Sequence, residues 1–366
     1  MSELGSLFLV VLLVYLLQCL HWVPPGSAVF VLRCRGLGKE KRHGFRWNAL
    51  GTTGFLAGAL PPLAPLVVAA WPGFELAAEG IWIEETDRSL IPLSWSNLTV
   101  TSADSKVFCN ERLVFQGSEV QALAYAQLLK RLQRCSDAER GPAILGWLRR
   151  AMAASRAERL ALAFARGARW LRVLANLQLA LLFLALPLSF VKFGPGVLWR
   201  VAVFMFTISA ATTLEFWMLH KKLFREAGSA RFKAALTMML SPIAAIRACD
   251  TLARDLFARH HPLAVAAALL PEDEFRRFAG ERLRFHRFGN HPSKWYQENS
   301  GRLMEQTIRQ RGIKPAQLLR PAHRDSGSVV YCPRCLAQYV KERSACSDCG
   351  FEQVVRFEGK ARSTTS

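Results

Sequence analysis

Two long apolar segments joined by a Gly-Pro-Gly turn constrain this chain more than any other feature. Residues 173–191 are nineteen positions without a charged side chain, and the turn at 194–196 separates them from a second apolar run that ends near residue 219. Because a helix rises about 1.5 Å per residue, nineteen residues cover roughly 28 Å of hydrocarbon. The sequence therefore predicts a transmembrane helical hairpin over residues 173–219.

A further apolar stretch lies at the N-terminus, and its flanking charge favours an anchor over a cleaved signal. Residues 7–23 are interrupted only by Gln18 and His21, and no lysine or arginine precedes them. A secretory signal would begin with a basic region. Six lysines and arginines follow instead, within residues 33–46. We therefore expect residues 1–23 to be an uncleaved transmembrane anchor with the N-terminus outside.

The charges beside the hairpin indicate the same orientation independently. Seven arginines lie between residues 149 and 172 and five lysines or arginines between 221 and 233, whereas only Lys192 and Arg200 flank the central turn. By the positive-inside rule both outer ends face the cytosol. The sequence thus predicts about three transmembrane helices and a cytosolic C-terminus, which we place in a bacterial inner (plasma) membrane.

An additional apolar segment, residues 48–74, complicates this count. It has no charged residue and is long enough to cross, but it contains four prolines, each of which removes a backbone donor. No further span follows it to restore the polarity of the hairpin. We interpret it as a re-entrant, interfacial or packed connector.

The formal net charge of +20 bears on the partners of this chain. Many basic residues border apolar segments, where anionic lipid headgroups attract each of them by about 1 kcal/mol. Basic and aromatic residues also mix over 272–325, a combination that can bind nucleic acid, but acidic residues dilute that charge and no nucleic-acid motif is present. We expect a bilayer with anionic headgroups, and not nucleic acid, as the partner.

Residues 80–116 change to short β-type runs separated by polar turn residues. Ser118 and Gln121 then have the spacing of a capping box, and apolar residues follow at helical spacing. This order over residues 80–134, with Trp95 in an I-x-L-x-W turn, resembles the second half of bacterial pleckstrin-homology-like modules on membrane proteins. The resemblance implies a lipid-proximal or protein-docking module and brings no catalytic residue.

Four of the nine cysteines form the strongest chemical signal. An odd number excludes complete disulfide pairing. Cys332 and Cys335 form one C-x2-C pair, and after ten residues Cys346 and Cys349 form another. Two such pairs can hold one Zn²⁺ in a tetrahedron of thiolates, about 2.3 Å from each sulfur.

This stretch resembles the zinc-ribbon family, and those four cysteines match its four ligand positions. Leu336 departs from the family pattern, because glycine is common there. The resemblance implies a structural Zn²⁺, and an iron site of rubredoxin type uses the same ligands. Four sulfur ligands leave no open coordination position, so we expect no catalysis at the metal.

These observations define the predicted fold class: an integral membrane α-helical protein with a small cytosolic α+β module and a C-terminal zinc ribbon. The predicted boundaries are an N-terminal transmembrane anchor (1–23), a basic juxtamembrane and Pro-rich apolar connector (24–78), a small β-sheet plus helix module (79–140), an Arg-rich juxtamembrane helix (141–172), the transmembrane hairpin (173–219), a polar or interfacial helical region (220–328), and the zinc ribbon with its tail (329–366).

No catalytic motif appears in the chain: there is no P-loop, dinucleotide fingerprint, H-E-x-x-H or G-x-S-x-G. We therefore expect a non-enzymatic adaptor or assembly factor that presents its modules to a protein partner on the cytosolic side. The alternative is a membrane enzyme or transporter component with a site between the spans, where Glu215 or Arg200 would take part. Three spans make a poor transport path alone, so that alternative requires an oligomer.

Overall fold

The computed structural model describes residues 3–32, 44–48, 54–58, 60, 62, 65–84, 90–225 and 227–357. Residues 33–43 carry most of the basic stretch after the predicted anchor and lie outside the described ranges, as does the predicted tail beyond residue 357. The helices are α1 (Glu3–Gln18), α2 (Glu119–Gln133), α3 (Asp137–Ala151), α4 (Ala154–Ala180), α5 (Leu186–Phe193), α6 (Leu198–Leu223), α7 (Gly228–Leu240), α8 (Pro242–Ile246), α9 (Ala248–Asp255), α10 (Pro262–Leu269), α11 (Glu272–Arg287) and α12 (Lys294–Arg309). The strands are β1 (Leu20–Val23), β2 (Ala28–Val31), β3 (Gly44–Asn48), β4 (Phe55–Gly58), β5 (Leu66–Ala69), β6 (Glu75–Leu76), β7 (Gly80–Glu84), β8 (Leu90–Ser94), β9 (Val100–Ala103), β10 (Lys106–Cys109), β11 (Arg112–Gln116), β12 (Val330–Tyr331), β13 (Gln338–Tyr339) and β14 (Val355–Arg356).

Two helices have the length and apolarity needed to cross a membrane. Helix α4 continues through a π-turn into α5, which gives an unbroken helix of 40 residues, Ala154–Phe193. After Gly194, whose φ of +71° reverses the chain, the second helix runs for 29 residues, Pro195–Leu223. The most apolar stretches of these two helices are only 17% and 22% buried. Most of their apolar surface therefore faces outward.

The two helices pack antiparallel along their length. Gln178 Nε2 donates a hydrogen bond of 3.3 Å to Ser209 Oγ on α6. Closer to the start of α4, a Cβ atom on Gly167 would lie 2.6 Å from Leu219 Cδ1. A larger residue at position 167 would therefore require the end of the Leu219 side chain to shift.

The two ends of the hairpin differ in their surroundings. We call residues 154–172 together with 213–223 the hairpin base. Its α4 side chains Ala157, Phe164 and Leu171 are buried in the same core as side chains of α10, α11 and α12. At the other end Leu188 and Val191 are 68% and 78% exposed. The hairpin therefore projects from a folded body that surrounds its base.

Helix α1 packs on the projecting part of the hairpin. The rings of Phe8 and Tyr15 contact Phe183 with centroid distances of 5.9 and 5.4 Å. The helix ends at Gln18, and β1 begins at Leu20, inside the predicted anchor. Its apolar part, Phe8–Gln18, is shorter than the two hairpin helices and below the length of a full span. A third crossing stays a prediction.

Strands occupy the segment that was expected to be a connector. β1 pairs with β4, and β2 lies between β3 and β5, all antiparallel. The four residues of β5 are at most 2% exposed. A strand buried on both faces is a short, continuous apolar run with no alternation, and periodicity cannot distinguish such a run from a buried helix segment. Within the described part of residues 48–74, β5 is thus a strand packed in the core, whereas Leu56 on β4 is 62% exposed.

The predicted β-sheet plus helix module divides between two small sheets. β7 lies between β6 and β8 in one sheet, and β10 lies between β9 and β11 in the other. The capping box is confirmed, since Gln121 N donates to Ser118 Oγ at 3.2 Å and Ser118 N donates to Gln121 Oε1 at 3.0 Å. A hydrogen bond of 2.9 Å connects helix α2 to the N-terminal strands: the Tyr125 hydroxyl donates to the carbonyl of Ala70, which follows β5.

Candidate metal centre

Two matching backbone turns hold the four cysteines at the C-terminus. β12 lies between β13 and β14 in a three-stranded antiparallel sheet, and Cys332 follows β12 directly. In the first turn Leu336 N donates to Cys332 O at 2.8 Å, and in the second Gly350 N donates to Cys346 O at 3.0 Å. Each turn aims its pair of sulfurs toward the other pair.

The four sulfurs have the separations that a tetrahedral metal requires. Cys332 Sγ lies 3.6 Å from Cys349 Sγ, and Cys335 Sγ lies 3.5 Å from Cys346 Sγ. All four sulfurs lie within 4.8 Å of one another. Metal–sulfur bonds of about 2.3 Å in a tetrahedron imply sulfur–sulfur distances of roughly 3.8 Å. The geometry therefore fits one metal ion and is too open for disulfides.

The electrostatics of the cluster also fit a cation. Burial works against a thiolate at Cys346, but hydrogen bonds from the Tyr339 hydroxyl and from the backbone N–H groups of Cys349 and Asp348 outweigh burial and lower its pKa to about 6. Burial and the adjacent sulfurs raise the pKa of the thiols of Cys335 and Cys349. A divalent cation would supply the charge that allows four neighbouring thiolates to coexist.

Leu336 lies in a strained backbone conformation. Its φ is +64°, almost the same as the +66° of Gly350 at the matching position of the second turn. The left-handed region costs an L-residue about 1–2 kcal/mol and costs glycine almost nothing. The departure from the ribbon pattern at Leu336 therefore changes the strain of the turn and leaves the positions of the sulfurs intact.

We expect Leu336→Gly to stabilise the metal-bound ribbon. Relief of the backbone strain should contribute about 1 kcal/mol, so the variant should retain its metal at about fivefold higher chelator concentration than the parent protein. Competition with a chromogenic chelator measures this. Leu336→Ala is the matched control, because it shortens the side chain and keeps the strain. Equal metal retention by the glycine and alanine variants would contradict the explanation.

The ribbon is attached to α11 and to the residue that follows it. Phe351 packs edge-on against Phe288 with ring centroids 5.4 Å apart. Arg284 Nε donates to the carbonyl of Arg334 at 3.3 Å, and the Arg334 guanidinium lies 5.3 Å from the centroid of the Phe285 ring. These contacts place the metal centre against the helical body.

A cleft of about 1050 Å³ lies beside these contacts, between the ribbon and α11. Cys335, Leu336 and Cys349 line one side of it. The charged residues that line it are five arginines and one glutamate: Arg276, Arg277, Arg284, Arg320, Arg334 and Glu281. Five arginines less one glutamate give the lining a formal charge of +4. Four thiolates around one divalent cation would add −2, so the cleft stays net positive, at about +2. Its shape depends on the folded ribbon.

The structure separates the two charged residues considered for a site between the spans. Arg200 is exposed near the turn of the hairpin beside Trp199, whereas Glu215 is half-buried near the base. Fifteen residues of one helix correspond to about 22 Å. Within the described part of the chain neither forms an ion pair. The two residues therefore do not form one site.

The structure contains a buried, hydrogen-bonded carboxylate that the sequence does not predict. Asp250 on α9 is completely buried and is hydrogen-bonded to His21 Nε2 on β1, and its Oδ1 accepts a hydrogen bond of 3.0 Å from Leu66 N on β5. The Arg247 guanidinium lies 3.5 Å from the same carboxylate. Burial disfavours the charged carboxylate, but the bonds from His21 and Leu66 outweigh this cost and lower the pKa of Asp250.

No protein-family model matches the chain, and no curated protein or solved structure matches it significantly. The likeness of residues 80–134 to pleckstrin-homology-like modules thus gains no further support. The four-cysteine cluster, which is compatible with a zinc ribbon, is the one predicted site whose residues are brought together.

Proposed function

We propose that this protein is a membrane-anchored, non-enzymatic adaptor or assembly factor that docks an acidic segment of a protein partner in the cleft between its ribbon and α11. The observation that carries the proposal is the charge of this cleft, with five arginines against one glutamate. A cleft lined by one sign of charge concentrates field lines and attracts segments of the opposite sign. The metal is zinc in this proposal, and its role is to hold one side of the cleft in place.

The arrangement of the hairpin supports attachment to a membrane. Its apolar side chains are exposed away from the base, and lysines and arginines gather where the helices return to the base. Side chains of the hairpin base share one core with α11, to which the ribbon is attached, and with the strands that follow β6. If the apolar part of the hairpin enters the bilayer, the cleft and the β-strands lie on the same side, which the positive-inside rule makes the cytosol.

Photo-crosslinking of the full chain in its native membrane tests the proposal. Gln317 is exposed and lines the cleft, whereas Gln310 is exposed and lies outside it. A photoreactive residue at position 317 should capture a protein through an acidic segment, identified by mass spectrometry of the adduct. The same group at position 310 should not.

Charge reversal provides the decisive comparison. Arg277→Glu combined with Arg320→Glu should lower the yield of the adduct at position 317 by about tenfold or more, because it reverses charge inside the cleft. Arg149→Glu combined with Arg302→Glu changes the net charge equally at exposed positions outside the cleft. Docking in this cleft would be contradicted if the two pairs of substitutions lowered the yield of the adduct at position 317 equally. Equally abundant adducts at positions 310 and 317 would also contradict it.

A further inference from the structure

A second basic cavity lies at the hairpin base, and the ribbon contributes none of its lining residues. Its volume is about 550 Å³. It is formed by the start of α2, the first turns of α4, the end of α6 with the residues that follow it, and the segment at the end of α9. The two long helices leave their apolar stretches at this level, so the cavity opens where a bilayer surface would lie.

The lining of this cavity is cationic on one part and apolar on another. Among the described residues, five cations and one carboxylate line it: Arg156, Arg159, Lys222, Arg225, Arg259 and Asp255. Asp255 already faces Arg254, whose Nε lies 3.6 Å from its Oδ1, and Arg259 has an interaction of its own. Val120 and Phe224 contribute to the apolar part. The other four cations therefore supply the positive charge for a ligand that also carries an apolar or neutral portion.

His260 supplies an independent indication of a ligand. This side chain lines the cavity and is only 6% exposed, and neither of its ring nitrogens has a hydrogen-bond partner among the described residues. Buried polar groups are nearly always paired, so an unpaired pair of ring nitrogens requires an explanation. Burial, together with the charge of Arg156, lowers the pKa of His260 to about 4. The imidazole is thus neutral and offers one donor and one acceptor.

We propose that this cavity binds the phosphate group of an organic phosphate, with the arginines on its oxygens and His260 as a hydrogen-bonding partner. Arginine matches the geometry of phosphate oxygens, and a cavity of about 550 Å³ is large enough for a phosphate headgroup or a small organic phosphate. The phosphate could belong to an anionic phospholipid of the surrounding leaflet or to a soluble compound. Both sources share the same recognition chemistry, and the experiment separates them.

The test uses the full chain in a neutral detergent and follows its thermal unfolding midpoint as probes are added. One arm titrates short-chain phosphatidylglycerol, with phosphatidylcholine of the same chain length as its control. The other arm titrates inorganic phosphate, with chloride at equal ionic strength as its control. A rise in the midpoint specific to phosphatidylglycerol identifies a lipid, and a rise with inorganic phosphate identifies a site open to soluble phosphates.

Two pairs of substitutions connect the response to the cavity. Arg156→Gln combined with Arg159→Gln should weaken the apparent affinity by about tenfold or more for whichever probe, phosphatidylglycerol or inorganic phosphate, raises the midpoint. Arg149→Gln with Arg150→Gln, on α3 and outside the cavity, should leave that affinity unchanged. Lys222→Gln with Arg225→Gln repeats the test from α6. The proposal is overturned if neither probe raises the midpoint, or if the cavity pairs respond like the α3 pair.

Discussion

Removal of the metal should unfold the C-terminal ribbon and leave the remainder of the chain folded. The three strands of the ribbon have two residues each, and few of its side chains are buried besides Val330, Tyr331 and two of the cysteines. So small a core cannot hold a fold alone, and a structural zinc ion contributes about 10–16 kcal/mol of apparent binding energy at neutral pH. The helical body has its own extensive core, so we expect it to stay folded without a metal.

Cys346→Ser should reproduce the effect of a chelator. Elemental analysis should find one zinc ion per chain in the parent protein and much less bound zinc in Cys346→Ser. Arg334 is half-buried and its carbonyl is bonded to Arg284, so trypsin should cleave after it only when the ribbon is unfolded. Cys135→Ser is the matched control, because Cys135 lies between α2 and α3 and outside the four-cysteine cluster. A metal-free protein with the same cleavage pattern before and after chelation would rule out a metal-dependent ribbon.

Asp250→Asn should destabilise the whole folded body. The substitution preserves shape and removes the charge that His21 and Arg247 face in a fully buried site. Breaking a buried, hydrogen-bonded charge pair in this way costs about 3–5 kcal/mol. The expected result is a clearly lower thermal unfolding midpoint for the full chain in detergent, with the N-terminal strands exposed first.

The control for this substitution is Asp325→Asn, at an exposed loop position, where the change should stay within about 0.5 kcal/mol. Folding lowers the pKa of Asp250. The contribution of this carboxylate to the free energy of unfolding is therefore fully present above the ordinary pKa of an aspartate. It is lost as the pH falls through the lower pKa of the folded state. If Asp250→Asn were as stable as Asp325→Asn, the buried contacts of Asp250 would contribute little to stability.

The features that the sequence predicted well are local in the chain. The four cysteines lie within eighteen residues, and two short turns are sufficient to bring their sulfurs together. Ser118 and Gln121 are three residues apart, so their mutual hydrogen bonds depend only on the start of one helix. The long helices of the hairpin follow from uninterrupted apolar composition. Local spacing is sufficient for each of these features.

The features that the sequence did not predict depend on distant partners. Residues 66–69 are apolar without alternation, and only pairing with β2 shows that they are a strand. No local pattern around Asp250 indicates that His21 and Leu66 lie beside it in the fold. The cavity at the hairpin base combines side chains from four separate parts of the chain, none of which has a recognisable motif. These arrangements arise from tertiary packing, which spacing along the sequence does not encode.

The hydrogen bond between His21 and Asp250 also has a consequence for how the protein is made. Its two residues are 229 positions apart in the chain. At a synthesis rate of about 5–20 residues per second, His21 waits roughly 10–45 s for its partner to be translated. During that interval the first helix and the strands after it exist without the element that fixes them, and loop closure over such a distance is slow. The N-terminal third of the nascent polypeptide must therefore stay shielded from aggregation until the ribosome has passed α9.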